Sequence, residues 1–413
     1  MPYERDVVLV IGAGTVGLVA TASLISHGIP AKLIEATEDL AQDLRASTFH
    51  PPTLDFLNKL GIANKLVEQG LICRTWQFRD RKKGTIATFD VSLLEGETDF
   101  PFRLQCEQWK LTAALRDYIE KHPDGELITN TKAEMVGQND KSVWVSAKKV
   151  DGSVKKFKGR FLIGTEGARS IVRKSIGAKF DGMTIPEIFL VLSTNFHYEK
   201  AISDLANIAY ISDPNEWLVL LRTLSLWRVL LPTNPDHTED FIMAPENVEK
   251  RLQAVIPSST PYEVVHKTAY KVHERVASKY VEGRIFLAGD AAHINNPLGG
   301  MGMNGVIHDA VNLVEKLTKV WHGAPLETIG MYERQRRKVA IETVQTQALK
   351  NRAILNAKDA TQRLAYHSEL REIVSDRKKH KEYVENLKIG DSVNLEGDAL
   401  IKYVETVSYT HLR

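Results

Sequence analysis

Three glycines and one acidic residue near the start of the chain have the spacing of a dinucleotide site. Gly12, Gly14 and Gly17 follow the apolar, β-branched segment 7–11 and open an Ala/Leu-rich segment. In a strand–turn–helix unit such glycines allow a tight turn, close approach of the backbone to a pyrophosphate and close helix packing. Glu35 follows at the distance of about 20 residues at which a carboxylate accepts the ribose hydroxyls. The pattern predicts a bound dinucleotide.

A second strand-and-glycine motif occurs much later in the chain. The apolar segment 285–288 leads into Gly289 and Asp290, and the glycine-rich run 297–304 follows. An aspartate at a strand end can hold a long polyol chain, which FAD has and NAD lacks. The helix after the glycines can direct its N–H groups at a flavin ring. This motif favours FAD over NAD, and a glycine-rich connector with a capping aspartate is the alternative interpretation.

Taken in order, the motifs resemble the fingerprints of the single-component (group A) FAD-dependent aromatic hydroxylases, the family of p-hydroxybenzoate hydroxylase. The three stretches are GAGTVG from Gly12, GTEGARSIVR from Gly164, and GDAAH followed by GGMGMN within 289–304. The resemblance extends over residues 5 to 345. It implies an α/β fold in which an FAD-binding Rossmann-like domain of the glutathione-reductase type is interwoven with an antiparallel-sheet substrate domain, followed by a helical C-terminus.

The resemblance also implies which residues contact the cofactor. They are Gly12, Gly14, Gly17, Glu35, Arg45, Gln108, Asp290, Pro297, Gly300, Gly302, Met303 and Asn304. In this assignment Asp290 holds the ribityl chain, Pro297 lies at the flavin face, and 300–304 bind the pyrimidine edge. Glu166 stands where the family has aspartate, which weakens the assignment of the middle fingerprint. The sequence predicts no metal site.

The reaction implied by the resemblance is an aromatic hydroxylation. NADH or NADPH, bound transiently, reduces FAD; O2 adds at the flavin C4a carbon; and the distal oxygen of the hydroperoxide passes to an aromatic or phenol-like small molecule. The alternatives on the same fold are a flavin halogenase, an FAD-dependent reductase and a non-enzymatic binding protein. A halogenase of the tryptophan type has a motif that none of the six tryptophans matches.

Substrate contacts are expected in the middle segment 188–232, which the resemblance places in a sheet over the flavin. Together with Pro297, Tyr210 and Arg222 are the predicted catalytic residues: Tyr210 as a ring contact and Arg222 as a partner for an anionic substrate. Strand alternation puts Trp217, Val219 and Leu221 on one face and Leu218, Leu220 and Arg222 on the other. For His293 we expect a structural hydrogen bond rather than catalysis.

The elements that must position these residues follow from apolar periodicity. We expect a β-α-β unit at 7–35, a helix at 53–60, hairpins at 143–154 and 217–231, a strand at 285–288 and a helix at 306–321. The predicted domains are 1–75, 100–178 and 270–330 for FAD; 76–99 and 179–269 for substrate; 331–406 as a helical region; and 407–413 as a tail of artefactual appearance.

Composition limits the other classes of function. The 413 residues are 43% hydrophobic and 26% charged, which is typical of a globular protein. Lys+Arg 54 against Asp+Glu 52 argues against nucleic acid as a main partner. Two cysteines give no disulfide framework and favour a cytoplasmic location. The charge-free stretch 7–25 is broken by glycines, so we expect no membrane insertion. The oligomeric state is left open.

Overall fold

The computed structural model describes residues 6–40, 46–295, 300–344, 353–355 and 357–385. The side chains of Pro186, Met301 and 342–344 are not part of this description. Arg45 and Pro297, which the sequence assigns to the cofactor site, lie outside the described residues, and so does the tail 407–413.

A mainly parallel sheet forms around the first strand of the chain. In the described residues its six strands run in the order β18-β19-β12-β1-β2-β8. Each residue of the central strand is buried, as expected for a β-branched segment covered on both faces. The strands are β1 (Val8–Ile11), β2 (Ala31–Ile34), β8 (Gly125–Ile128), β12 (Phe161–Gly164), β18 (Val281–Glu282) and β19 (Ile285–Leu287).

Two small antiparallel sheets flank the parallel one. The first contains the hairpin predicted at 143–154 and has the order β11-β10-β9, and the second has the order β3-β7-β4. Their strands are β3 (Thr48–Phe49), β4 (Leu71–Cys73), β7 (Arg103–Gln105), β9 (Thr131–Gln138), β10 (Val143–Lys149) and β11 (Val154–Gly159).

The largest sheet is the antiparallel layer that the resemblance implied. Its order is β20-β17-β13-β16-β15-β14-β5-β6, and only the pair β14–β5 is parallel. Its strands are β5 (Thr75–Asp80), β6 (Gly84–Asp90), β13 (Phe180–Thr194), β14 (Ile208–Ser212), β15 (Leu218–Arg222), β16 (Trp227–Thr233), β17 (Val264–Ala277) and β20 (His293–Ile294). The domain boundary predicted between 269 and 270 therefore falls inside β17.

Helices cover the parallel sheet and the large antiparallel sheet. They are α1 (Thr15–Ser26), α2 (Pro51–Lys59), α3 (Ala63–Glu68), α4 (Gln108–Lys121), α5 (Ile171–Ser175), α6 (Tyr198–Ala201), α7 (Glu239–Met243), α8 (Pro245–Val255), α9 (Met301–Trp321), α10 (Gly330–Lys338), α11 (Ala360–Ser375) and α12 (Arg377–Glu385). A π-helical turn, Val339–Val344, follows α10. Among the helices described, none combines the length and the apolar character needed to cross a bilayer.

The core is divided by the large sheet. One cluster fills the parallel sheet and its helices, including α1 and α9. A second lies on one face of the large sheet and takes in Tyr210, Trp217 and residues of α11 and α12. A third lies on the opposite face beneath α7 and α8 and contains Leu218 and Leu220. The alternation predicted for 217–222 is therefore confirmed.

A buried carboxylate connects α9 to α10 and to the large sheet. Asp309 Oδ1 accepts a hydrogen bond from Arg336 Nε at 2.6 Å, and Asp309 Oδ2 lies 2.6 Å from His293 Nε2. All three side chains are at most 2% exposed. Burial favours the neutral carboxyl, but His293 and Arg336 outweigh it and lower the pKa of Asp309. The structural hydrogen bond expected for His293 is present.

Replacing Asp309 with asparagine tests this network. The amide keeps the shape but removes the negative charge that pairs with Arg336 and His293, so the free energy of unfolding is expected to fall by about 3–5 kcal/mol. Urea unfolding at pH 7.5 measures the change. The control is Asp117→Asn, which removes the exposed pair with Lys121 and should leave the midpoint unchanged. Equal midpoints for Asp309→Asn and the wild-type chain would show that the pair contributes nothing.

Candidate active site

The first glycine turn is as crowded as its spacing predicts. Gly12 has φ +97°, and a Cβ placed there would lie 2.8 Å from the Cα of Glu166. A Cβ on Gly17 would lie 1.9 Å from the carbonyl oxygen of Gly12. A Cβ on Gly14 would meet nothing within 4 Å, so this side of the turn is open to a ligand.

Glu35 lies over this turn. Its Oε2 accepts the backbone N–H of Ala13 at 2.6 Å, and its Oε1 accepts the N–H of Thr37 at 2.9 Å. Gln108, at the start of α4, donates from Nε2 to the hydroxyl of Thr15 on the first turn of α1. The two residues therefore stand on either side of the helix N-terminus, where a pyrophosphate is expected.

The second glycine turn packs against the first. Gly289 has φ +65°, and a Cβ there would lie 2.5 Å from Cγ2 of Val16 in α1. The next residue, Asp290, is exposed. The structure thus brings together two turns that the sequence separates by most of the chain, and one extended dinucleotide can contact both.

Asn304 has a structural role that its motif did not reveal. Its Oδ1 accepts from the N–H of His50 at 3.0 Å and the hydroxyl of Thr53 at 2.7 Å. Its Nδ2 donates to the carbonyls of Thr48 at 2.9 Å and Gly300 at 2.6 Å. The side chain therefore has no hydrogen-bonding capacity left, and contact with a flavin at this position would use the backbone of α9.

The other residues predicted in this loop present backbone rather than side chain. Met303 is 9% exposed and packs in the core. Gly300 has φ +71° and precedes α9, whose first turn has no side-chain cap. A Cβ on Gly302 would meet nothing within 4 Å. The exposed N–H groups at this helix start can face the pyrimidine edge of a flavin.

Unpartnered buried polar atoms mark the space beside this loop. Both ring nitrogens of His50 and Oε1 of Gln105 have no hydrogen-bond partner among the described residues. A Cβ on Gly300 would lie 3.2 Å from His50 Nε2. Burial, assisted by the charge of Arg103, lowers the pKa of His50, so the ring is neutral. Such atoms suit the polar edge of a bound ring, and the residues present therefore fit FAD.

Glu166 caps a helix. Its Oε1 accepts from the hydroxyl of Ser170 at 2.7 Å and from the N–H of Val172 at 2.8 Å. Burial raises its pKa. The longer side chain thus serves the N-terminus of α5, next to Gly12.

Arg103, in the small sheet β3-β7-β4, is a buried arginine that the sequence did not single out. It contacts Trp76 in strand β5 of the large sheet. Arg103 of β7 is 3% exposed, and its Cζ stands 3.9 Å from the centroid of the Trp76 ring. Its Nε and Nη1 have no hydrogen-bond partner among the described residues. Burial lowers the pKa of Arg103, and the neighbouring Tyr210 hydroxyl, as a hydrogen-bond partner, opposes this shift. The guanidinium therefore has two N–H groups ready for a ligand.

Tyr210 lies where the sequence predicted a substrate wall. It is 6% exposed and stacks on Phe78 at 5.3 Å between ring centroids. Trp217, 2% exposed, packs edge-on against Phe189 in the same cluster. These rings and Arg103 line one water-poor region.

Arg222, the other predicted substrate contact, has a partner within the protein. Its Nη2 lies 3.4 Å from Oε1 of Glu199, and its Cζ lies 5.9 Å from the ring of Trp227. Trp227 belongs to the cluster on the face opposite Tyr210. The structure therefore places Arg222 and Tyr210 on opposite faces of the large sheet.

Two adjoining glycine turns that can contact one dinucleotide, beside a buried aromatic cluster with an arginine against it, are the arrangement expected of a flavoprotein that oxygenates an aromatic molecule. Residues 5–347 match the family described as FAD binding domain. The chain belongs to this FAD binding domain family, and it is an FAD-dependent aromatic monooxygenase with NAD(P)H as co-substrate.

The similarities to individual proteins agree with this assignment. Para-nitrophenol 4-monooxygenase of Pseudomonas sp. strain WBC-3 is 31% identical over 92% of this chain and 95% of its own length. 6-Hydroxy-3-succinoylpyridine 3-monooxygenase of Pseudomonas putida S16 is 29% identical over 83% and 87%. The crystal structure of p-nitrophenol 4-monooxygenase from Pseudomonas putida DLL-E4 has a TM-score of 0.89 at 28% identity, covering 95% and 99%. These relatives support the hydroxylase and not the halogenase, reductase or binding-protein alternatives.

Asp290→Ala tests the ribityl contact. Loss of the charge-assisted hydrogen bonds is expected to weaken FAD binding by about 1–3 kcal/mol. Titration of the apoprotein with FAD, followed by flavin fluorescence, measures the change. Asp240→Ala, an exposed aspartate of α7, is the control. FAD affinity equal to that of the wild-type chain would remove Asp290 from the site.

His308 gives a pH-dependence prediction. Its Nε2 lies 3.0 Å from the hydroxyl of Thr53, and burial, together with the charge of Arg336, lowers its pKa to about 3. The unfolded chain binds the proton below pH 6.5, so the stability is complete above pH 6.5 and is lost as the pH falls from there toward 3.

The loss is expected to reach about 1.4 kcal/mol per pH unit below 6.5. Thermal unfolding between pH 7.5 and 5 should show a smaller fall in Tm for His308→Gln than for the wild-type chain. The exposed His27→Gln should behave as wild type. A His308→Gln profile parallel to that of the wild-type chain would contradict the expectation.

Proposed function

We propose that this monooxygenase binds the ionised hydroxyl group of a small six-membered aromatic ring at Arg103 and hydroxylates that ring. The observation that carries the proposal is that two buried nitrogen donors of Arg103, Nε and Nη1, have no hydrogen-bond partner among the described residues. A guanidinium presents its donors in one plane, and a phenolate oxygen can accept a charge-assisted hydrogen bond from either of these two nitrogens.

The charge balance around Arg103 favours an anion. The side chains that influence the pKa of Arg103 include Tyr210, Tyr383 and Cys73, and no carboxylate of the described residues is among these influences. Burial raises the pKa of Tyr383, and that of Cys73 to about 12. A bound phenolate therefore supplies the counter-charge that the protein leaves out.

Arg103 also prepares the ring for oxygen transfer. A positive charge beside a phenol hydroxyl lowers the pKa of that hydroxyl, so the bound substrate loses its proton without a dedicated protein base. The phenolate is the more electron-rich form of the ring. When bound, FAD supplies the hydride acceptor for NAD(P)H and the activation of O2.

The aromatic walls orient the ring and exclude water. Tyr210 and Trp217 are both nearly fully buried in the cluster beside Arg103. Exclusion of water strengthens the ion pair between Arg103 and the phenolate. It also suppresses the side reaction that releases hydrogen peroxide instead of hydroxylated product. We assign Tyr210 the ring contact that the sequence predicted, with its hydroxyl against the guanidinium.

The relatives support the same substrate chemistry. The names of the two curated relatives specify a nitrophenol and a hydroxypyridine. Both compounds carry an acidic hydroxyl on a six-membered aromatic ring, and this is the group that we propose Arg103 binds. We propose this shared class, with O2 and NADH or NADPH as the further partners. The buried free thiols of Cys73 and Cys106 support a reducing, cytoplasmic location.

Kinetics with 4-nitrophenol as the probe test the proposal. The wild-type enzyme should show substrate-stimulated NAD(P)H oxidation and a product with one added oxygen. Arg103→Met is expected to raise KM about 30-fold or more, because the phenolate loses its charge-assisted bonds, and Arg103→Lys is expected to recover part of this loss. FAD content should remain unchanged.

Two variants make the test specific to Arg103. Arg160→Met, remote from the site, is the matched control, and Arg222→Met tests the other arginine that the sequence selected. A larger increase in KM for Arg222→Met than for Arg103→Met would show that Arg222 in β15, and not Arg103, binds the anion. An absence of oxygenated product with every phenol and hydroxypyridine tested would overturn the proposed substrate class.

A further inference from the structure

Four side chains form one continuous stack that ends at Arg103. The guanidinium lies 3.9 Å from the Trp76 centroid, and Trp76 stacks on Phe89 at 4.9 Å with 14° between the ring planes. Phe89 in turn stacks on Tyr383 at 4.4 Å and 26°. We call this set the aromatic stack: Trp76, Phe89 and Tyr383, with Arg103 at its end.

The stack is built on strand register. Trp76 and Phe89 lie directly opposite each other in the antiparallel pair β5–β6, where facing side chains are in contact. Trp76 is 2% exposed and Phe89 is fully buried. Neither ring can therefore move without repacking the cluster on this face of the large sheet.

The third ring comes from the C-terminal helix. Two contacts hold α12 against β6 and the segment after it: His380 Nε2 accepts the backbone N–H of Asp90 at 3.0 Å, and Lys381 pairs with Glu97. Val384 of the same helix is fully buried. These contacts fix Tyr383 over the outer face of Phe89.

The geometry matters because the N–H groups of a guanidinium lie in its plane. A guanidinium held face-on by an indole directs these groups parallel to the indole surface rather than toward it. A free arginine side chain, by contrast, populates many rotamers. With Arg103 Cζ 3.9 Å from the centroid of the Trp76 ring, we expect the indole to restrict the directions in which Nε and Nη1 point.

We propose that Trp76 is a positioning residue for the hydroxylation, holding Arg103 in the orientation that binds the substrate oxygen, and that Phe89 and Tyr383 support it from behind. The inference rests on the proposed function, in which Arg103 binds the phenolate. Through Tyr383, α12 then contributes to the substrate site, although it is the last of the described helices in the chain.

The main test is the holoenzyme variant Trp76→Leu, assayed with 4-nitrophenol. Loss of the indole face is expected to raise KM about tenfold, with a smaller change in kcat and unchanged FAD content. Trp76→Phe, which keeps an aromatic face, should remain within about twofold of wild type. Trp321→Leu is the matched control, because it removes another tryptophan stacked with an arginine, Arg160, at 5.0 Å.

A double variant separates positioning from general packing. If Trp76 acts through Arg103, Trp76→Leu combined with Arg103→Met should have the same KM as Arg103→Met alone. Effects that multiply in the double variant would overturn the inference. Tyr383→Leu and Phe89→Leu test the two rings that pack beyond Trp76, and each should raise KM about threefold. Tyr383→Phe, which keeps the ring but removes a hydroxyl that influences the pKa of Arg103, should have a smaller effect than Tyr383→Leu.

The outcomes distinguish this inference from the proposed function. A wild-type KM for Trp76→Leu, with Arg103→Met still defective, overturns the role of the stack and leaves the anion site in place. A lack of effect of Arg103→Met overturns the proposed function and the inference together. If Trp76→Leu loses FAD, its KM no longer tests the inference, and the variants Tyr383→Leu and Phe89→Leu provide the test instead. Wild-type KM values for both of these variants would overturn the inference.

Discussion

The buried carboxylate of Asp309 is the point at which the two halves of the molecule are connected. It pairs with Arg336 of α10 and with His293 of β20, the edge strand of the large sheet. Because a buried charge is strongly destabilising without its partners, these groups enter the interior together. The second glycine turn is thereby anchored on both sides: His293 follows it, and Leu287 before it accepts a hydrogen bond from the Tyr332 hydroxyl at 2.6 Å. The position of Asp290, for which the sequence predicts a contact with the ribityl chain, depends on this anchoring.

Those parts of the site that depend on local backbone geometry could be predicted from the sequence. The crowding at Gly12 and Gly17 and the position of Glu35 follow from the requirements of a strand–turn–helix unit, which a short stretch of residues expresses completely. Asn304 shows the limit of this reasoning. Its motif was assigned to the cofactor, yet its amide connects four backbone and side-chain groups, and only tertiary structure reveals that partner set.

Arg103 could not be selected from the sequence, for a related reason. Its neighbours come from β5, β14 and the C-terminal helix, none of which is adjacent to it in the chain. The one local signal is an arginine within the otherwise mostly apolar run 100–106. Arg222 presented a comparable pattern beside a predicted hairpin turn, and alternation correctly placed it on the face opposite Trp217. What the pattern could not show is that Glu199 pairs with Arg222, whereas no carboxylate among the described residues forms an ion pair with Arg103.

The late position of α12 has a consequence for the order in which the enzyme matures on the ribosome. The strands of the parallel sheet and helix α9 are complete by residue 321, whereas Tyr383 is among the last of the described residues to be synthesised. A growing chain can therefore assemble the strands of the parallel sheet before the aromatic cluster beside Arg103 is complete. Translation that stops between α10 and α12 would yield a polypeptide with the elements of the cofactor site but without the ring of Tyr383. Quality control in the cell thus has reason to act on chains that stop before α12.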